Sequence, residues 1–275
     1  MKFAFIGGGN MATALIGGMI ANGRAPRDFV VIEPFEAQRE RLAQRFAGID
    51  VRPDIATAPL RDVALAVFAV KPQQMQEACT ALAPSMSSIG AVLSIAAGTR
   101  IATIAQWLGG FDRVVRAMPN TPALVRAGIS GVFAPASVDA AGREAASAVL
   151  EAAGDVLWCD EEAMLDAVTG VSSSGVAYVF HFIEALEAAA VGLGFDAADA
   201  RRLAYATFDG AIRLARASDV DVKTLRAQVT SKGGTTERGI AALEQARVAD
   251  AIVRAATAAT ERARELGEPG TGAKP

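Results

Sequence analysis

The sequence predicts an α/β domain built on a parallel sheet over residues 1–160, followed by an all-helical domain over 161–266. Three observations carry this reading. Short β-rich apolar runs alternate with helical stretches through the first half, the pattern of a parallel sheet with crossover helices. The strand signals stop near residue 160. Beyond it the chain is alanine-rich, with apolar residues such as Val179, Ile183, Leu186 and Ala190 recurring at three- and four-residue steps.

Taken in order, strands are expected over 2–6, 29–33, 63–70, 91–94, 113–117 and 131–134, with helices over 11–22, 36–46, 73–82, 101–108 and 140–153. Several of these strands are continuously apolar, as a sheet covered by helices on both faces requires. In the helical half the breaks fall at "GLGFD" (192–196), "ASDVDV" (217–222) and "VTSKGGTT" (229–236), the last opening a helix that runs to about residue 265. The tail "GEPGTGAKP" (267–275) reads as disordered, because Pro and Gly without apolar partners cannot offset ordering entropy.

Composition narrows the class of function. The 275 residues carry 27 Lys and Arg against 30 Asp and Glu, with no basic block to meet nucleic acid, so a small-molecule partner is expected. Cys79 and Cys159 lie in no metal or redox spacing, which points to a reduced, cytoplasmic setting and no metal. A secretory signal peptide is a poor fit: the n-region is Lys2 alone, and the apolar run is broken by Gly7, Gly8, Gly9 and Asn10. No stretch reaches about 18 uninterrupted apolar residues, since 176–195 carries His181, Glu184 and Glu187, so no membrane partner is expected. With His181 as the single histidine, a His-based triad or multi-histidine metal site is disfavoured, and His181 itself reads as a core or interface residue.

The opening "AFIGGGNMATALIGG" (4–18) explains its glycines. A strand feeds Gly7-Gly8-Gly9-Asn10-Met11-Ala12, a G-x-G-x-x-A turn, and then a helix. Gly7 would make the tight turn, Gly9 would admit a pyrophosphate to the backbone, and Ala12 would keep helix and strand close. The pyrophosphate would rest on the helix's free N–H groups. The domain is therefore Rossmann-type and nucleotide-binding. Glu33, closing the second strand, would accept a ribose 2′-OH and favour NADH over NADPH, while Arg39 and Arg41 are close enough in sequence to meet a 2′-phosphate instead.

Ala69, Val70, Lys71 and Pro72 sit where the third strand ends, at the carboxyl edge of the sheet where such proteins bind ligands. Ala96, Ala97 and Gly98 are small enough for a nicotinamide ribose to lie against backbone. In Pro119-Asn120-Thr121-Pro122 two prolines fix a loop and leave Asn120 presenting an amide. In "SKGGTT" (231–236), Gly233 and Gly234 free the backbone while Thr235 and Thr236 begin a helix, which makes an anion site sized for one carboxylate.

These stretches, "FAVKPQ" (68–73), "SIAAGTRIATIAQWLG" (94–109), "RAMPNTPALVRAGISG" (116–131), "DAVTGVSSSGVAYVFHFIEAL" (166–186) and "VTSKGGTTERGIAALE" (229–244), closely resemble the Δ1-pyrroline-5-carboxylate reductase family over residues 1–267. The resemblance implies reduction of that cyclic imine to L-proline with NADPH or NADH. It implies that Ser231, Gly233, Gly234, Thr235 and Thr236 hold the substrate carboxylate, with Thr236 contacting the ring nitrogen, and that Glu162 and the Ser172-Ser173-Ser174-Gly175 turn lie near the substrate. It also implies a homodimer of interlaced helical domains, assembled as five dimers. The family departs from this chain at Ser173 (commonly Gly), Val176 (Pro), Lys232 (Pro) and Ala56 (often Asn). A hydroxyacid dehydrogenase using Lys232, or a nucleotide sensor without catalysis, would share much of this pattern.

Overall fold

The computed structural model describes residues 1–268, and these fall into two compact units: Met1–Ser174 together with the chain from Ala258 on, and Gly175–Thr257. The first unit is organised by one eight-stranded sheet. Its strands are β1 (Lys2–Ile6), β2 (Phe29–Ile32), β3 (Asp50–Arg52), β4 (Val63–Phe68), β5 (Ile89–Ser94), β6 (Val114–Met118), β7 (Gly128–Phe133) and β8 (Gly154–Trp158). They lie in the order β3-β2-β1-β4-β5-β6-β7-β8. All neighbours pair in parallel except β6 with β7, so β7 and β8 run against the rest.

The helices around this sheet are α1 (Asn10–Ala21), α2 (Glu36–Arg45), α3 (Met75–Leu82), α4 (Ile101–Trp107) and α5 (Ala140–Glu151). Strands β1, β2, β4, β5 and β6 divide their side chains between two cores. Phe3 and Phe5 pack with Leu15, Ile16, Met19 and Leu42 on one face, while Ala4 and Ile6 pack with Phe68, Met75, Cys79 and Leu82 on the other. Continuous apolar strands follow directly from this two-sided burial. The sequence did not single out β3 or β8. Both are edge strands; β3 has three residues, "DVR", and β8 alternates in burial, so neither carries a long apolar run.

Beyond β8 no further strand occurs among the described residues. Helix α6 (Met164–Val168) passes through a π-helical segment, Thr169–Ser173, into α7 (Gly175–Gly192). Then come α8 (Ala197–Arg216), α9 (Val222–Gln228), α10 (Thr235–Gln245) and α11 (Val248–Leu266). One expectation needs correcting. The helix opened by Thr235 stops at Gln245, where Arg247 takes a left-handed φ of 54°, and α11 starts afresh. Of the two places expected for His181, the core of this chain is not it: its side chain is 84% exposed and lies 3.7 Å from Glu184. The run Met164–Gly192 is also long and apolar enough to cross a bilayer by length and composition, His181, Glu184 and Glu187 notwithstanding. Of the expected tail, Gly267 and Glu268 continue the end of α11 by donating to the Arg264 and Glu265 carbonyls, and 269–275 lie outside the described residues.

Cys79 in the α3 core is fully buried, and desolvation pushes its thiol up to about 12. A raised acid favours the protonated, folded form. Stability from this group is complete below the unfolded thiol's value near 8.5 and is lost as pH climbs from there toward 12. Urea midpoints measured against pH should therefore fall in that alkaline window with a slope of up to about 1.4 kcal/mol per pH unit, and Cys79→Val should lose that component.

Candidate active site

The site begins where β1 ends. Gly7 has φ +96°, and a Cβ there would stand 2.7 Å from the Ala69 carbonyl oxygen, so only glycine lets β1 turn this close to the end of β4. At Gly9 an added Cβ would meet nothing within 4 Å. Gly9 caps α1 without any side-chain bond, and the first-turn amides of Asn10, Met11 and Ala12 have no intrahelical acceptor. Open space above an uncapped helix N-terminus suits a pyrophosphate. Ala12 is fully buried and serves the close packing of α1 on the sheet.

Glu33 is 6% exposed and sits under this turn. Its Oε2 accepts from the Gly8 amide at 2.9 Å and its Oε1 from the Phe35 amide at 3.0 Å. Gly8 must be small because a Cβ would come 2.6 Å from Leu42 Cδ1 and 3.3 Å from Glu33 Cβ. Gln38 Nε2 donates to the Gly8 carbonyl at 2.6 Å, and Thr13 Oγ1 donates to the Gly9 carbonyl at 2.9 Å. Arg39 is committed to backbone, its Nη1 donating to the Glu33 and Pro34 carbonyls at 3.1 and 2.6 Å. Of the two arginines that could meet a 2′-phosphate, only Arg41 lines the cleft.

That cleft has a volume of about 690 Å³ and opens at the carboxyl ends of β1, β2 and β4. Gly7, Gly9, Glu33, Ala69, Val70 and Lys71 line it together. A dinucleotide fits these features: a cavity of ligand size, an unobstructed glycine, and an uncapped helix. Gly8, Asn10, Met11, Ala12, Pro72, Ala97 and Asn120 are outside the lining. Ala97 is half-buried in a loop whose Gly98 packs against the end of α11, a Cβ there falling 3.2 Å from Leu266. Asn120 differs from its expected role of presenting an amide. It is 8% exposed; its Oδ1 accepts from the Ile129 amide at 3.0 Å and its Nδ2 donates to the Ser172 carbonyl at 3.3 Å.

Glu162 belongs to an ion network that the sequence did not reveal. Its Oε1 accepts from Arg116 Nη1 at 2.9 Å and from the Ile101 amide, at the start of α4, at 3.0 Å. Arg100 Nη2 donates to Asp166 Oδ2 at 2.6 Å, and Arg116 Nη2 lies 3.9 Å from Asp166 Oδ1, an oxygen with no hydrogen-bond partner. Burial lowers the Arg116 guanidinium below its usual range, against the opposing pull of Glu162. The available signal was Arg116 itself: a lone cation inside the strand "VVRAM" needs carboxylates nearby.

Of the serines expected to form a turn, Ser172 and Ser173 lie in the π-helical segment and Ser174 follows it as a turn residue, its amide donating to the Thr169 carbonyl at 2.8 Å. Ser173 Oγ donates to the Pro119 carbonyl at 3.2 Å, so this segment and the 119–122 loop are held together by Ser173 and Asn120. Such π segments recur at functional sites.

In the second unit, Gly233 has φ +75° and its amide donates to Glu237 Oε2 at 2.7 Å. The Gly234 amide donates to the Ser231 carbonyl at 3.0 Å, and a Cβ on Gly234 would collide with Ser231 Oγ at 2.5 Å. Two of the four amides expected to receive a carboxylate are thus taken internally. Thr235 and Thr236, the first residues of α10, keep N–H groups without an intrahelical acceptor. Among the described residues no cluster could hold a metal ion.

The family for pyrroline-5-carboxylate reductase dimerisation matches residues 162–266, and the NADP oxidoreductase, coenzyme F420-dependent family matches residues 2–98. The Pseudomonas aeruginosa pyrroline-5-carboxylate reductase is 43% identical over 97% of both chains. The chain belongs to the pyrroline-5-carboxylate reductase family. The solved Coxiella burnetii pyrroline-5-carboxylate reductase superposes with a TM-score of 0.92 at 38% identity, over 97% of this chain and 98% of that one. The Plasmodium falciparum pyrroline carboxylate reductase, solved with NADP bound, gives 0.84 at 26% identity over 98% of each.

Replacing Arg116 with Met should leave Glu162 without its cation while Asp166 keeps Arg100, and lower unfolding free energy by about 1–3 kcal/mol, read from denaturant curves.

Proposed function

We propose that this chain reduces Δ1-pyrroline-5-carboxylate to L-proline by hydride transfer from a nicotinamide dinucleotide, as a nucleotide domain over 1–160 and a helical substrate and dimerisation domain over 161–266. The observation that carries the reading is the dinucleotide-sized cleft over Gly7, Gly9 and the open end of α1, in a chain of this reductase family. The reduced nicotinamide supplies the hydride when bound.

The chain's own residues bind and orient. The amides from Asn10 to Ala12 receive the pyrophosphate, and Ala69, Val70 and Lys71 form the wall beyond it, with Pro72 stiffening the loop behind them. Glu33, fixed by two backbone amides, sets a carboxylate where a 2′-phosphate would lie, which favours NADH. In the helical unit the amides of Thr235 and Thr236 receive the substrate carboxylate, and Thr236 Oγ1 hydrogen-bonds the ring nitrogen. The family resemblance assigns Glu162 and Ser174 to the substrate as well. Orientation of this kind is worth up to about 7–11 kcal/mol, so an imine reduction of this type does not need a histidine base. His181, exposed on α7, has no catalytic part.

The helical unit offers its apolar faces to a second copy: Phe180 is 58%, Tyr205 54%, Ile212 57% and Leu214 55% exposed. We read the assembly as a homodimer, five of which form a decamer, in the cytoplasm, with a partner chain rather than a bilayer covering α7 and no nucleic-acid partner. Light scattering should give at least twice the 28.3 kDa chain mass, and a monomer mass would remove this part of the reading.

The decisive assay follows nicotinamide oxidation with the cyclic imine and with hydroxyacids, for NADH and NADPH in parallel. Turnover of the imine alone, with kcat/KM higher for NADH, is expected; a marked NADPH preference would end the role given to Glu33. Thr236→Ala should lower kcat by about 100-fold while leaving the Kd for NADH unchanged. An unaltered kcat would take Thr236 out of the mechanism.

A further inference from the structure

Arg100 ends the loop that follows β5 and is the N-cap of α4, yet its side chain makes no cap bond there. It turns instead to Asp166, Nη2 donating to Oδ2 at 2.6 Å, and Asp166 is buried. The next residue is held in the same way, the Ile101 amide donating to Glu162 Oε1 at 3.0 Å. Glu162 lies between β8 and α6 and Asp166 lies in α6, so both carboxylates come from one short stretch of chain. Arg116 on β6 spans them, bonded to Glu162 at 2.9 Å and standing 3.9 Å from Asp166. The other side of Arg100 is closed by the end of α11, where a Cβ on Gly267 would stand 2.7 Å from Nε. Two residues before Arg100, Gly98 takes φ +74° and lies so near Leu266 that a Cβ would be 3.2 Å from its carbonyl oxygen. The loop's first residue is tied to the sheet, the Ile95 amide donating to the Phe68 carbonyl at 3.2 Å.

Buried ion pairs add little net stability over apolar packing of similar volume, so what they supply here is a defined geometry. The geometry they define is that of residues 95–100. Strand order makes that loop matter to the reaction. Glu33 follows β2, the glycine turn follows β1, and the cleft continues to Ala69, Val70 and Lys71 after β4. Strand β5 is next in the sheet, so a dinucleotide whose adenosine end lies by Glu33 carries its nicotinamide end toward the loop after β5. We propose that Arg100 is a positioning residue for hydride transfer: pinned between Asp166 and the end of α11, it fixes the 95–100 loop against which the nicotinamide ribose lies. It acts through Ala96, Ala97 and Gly98 rather than by contact with the reacting atoms. This rests on the dinucleotide and reductase reading, and it gives the buried ion network a part in the rate of the reaction.

The test separates position from stability. Single-turnover hydride transfer from NADH to the cyclic imine, the Kd for ADP-ribose and the thermal midpoint are measured on the full-length protein and on three variants. Arg100→Ala leaves Asp166 buried without this cation and should lower both the midpoint and the hydride rate, the rate by about 10–100-fold. Adding Asp166→Asn removes the stranded charge, so the double variant should recover the midpoint but not the rate. Arg100→Lys keeps a cation beside Asp166 and should restore most of the rate. All three should bind ADP-ribose as the wild type does, because that ligand lacks the nicotinamide end. A hydride rate that recovers along with the midpoint in the double variant would overturn the proposal while leaving the reductase reading intact. So would an unchanged rate in Arg100→Ala, or weakened ADP-ribose binding in the double variant. A wild type that binds ADP-ribose yet transfers no hydride to the imine would defeat the reductase reading, and the proposal with it.

Discussion

The carboxylate of Glu33, held beneath the glycine turn by the amides of Gly8 and Phe35, is the contact on which the nucleotide half of the molecule depends. It joins the loop after β1 to the loop after β2, and it explains why position 8 carries no side chain: Leu42 Cδ1 and Glu33 Cβ already fill the space. Taking the carboxylate away would leave two backbone N–H groups without acceptors beside a packed core, each at a cost of about 1–3 kcal/mol.

How much of this was legible in the sequence depends on the range of the interaction. The strand, turn and helix around Gly7 could be read because every requirement is local: a left-handed φ, an open Gly9, a helix start. The helix breaks near 192–196, 217–222 and 229–236 were equally local. Asp196 and Asp221 cap α8 and α9 with bonds only two or three residues long. Glu33 was recognised as a strand-end carboxylate, yet its engagement with Gly8, 25 residues away, was not, and neither was the diversion of Arg39 to backbone carbonyls. Asn120 was read as presenting its amide for the same reason. Nothing in "PNTP" indicates that Ile129 and Ser172 will take both ends of it. The ion network spans Arg100 to Asp166, 66 residues apart, and only the cation buried in β6 hinted at it.

The loop at 231–236 refines an electrostatic argument. Glycines before a helix suggested a row of amides available to an anion, but Glu237, in the first turn of α10, turns back and takes the Gly233 amide. A carboxylate of the chain's own therefore fixes the loop's left-handed step. The amides of Thr235 and Thr236 remain without an intrahelical acceptor.

The helical unit raises a different constraint. Of α7 through α10, only Ala200 and Ala204 are fully buried, while Leu186, Leu203, Ile212 and Leu214 lie open on the helices. Isolated helices of this length are marginal in water and gain most of their stability from tertiary packing. The internal ties seen here, such as Tyr178 Oη donating to the Ala255 carbonyl at 3.2 Å, are too few to supply it. A unit with this little core of its own gains its packing from a second copy, as the dimerisation family it matches does, and the folded state of the loop at 229–236 is then linked by mass action to protomer concentration. The α/β unit, with two complete cores, carries no such dependence. The two halves of the reductase thus differ in what holds them: the sheet unit is held by its own cores, whereas the helical scaffold of the 229–236 loop draws on association.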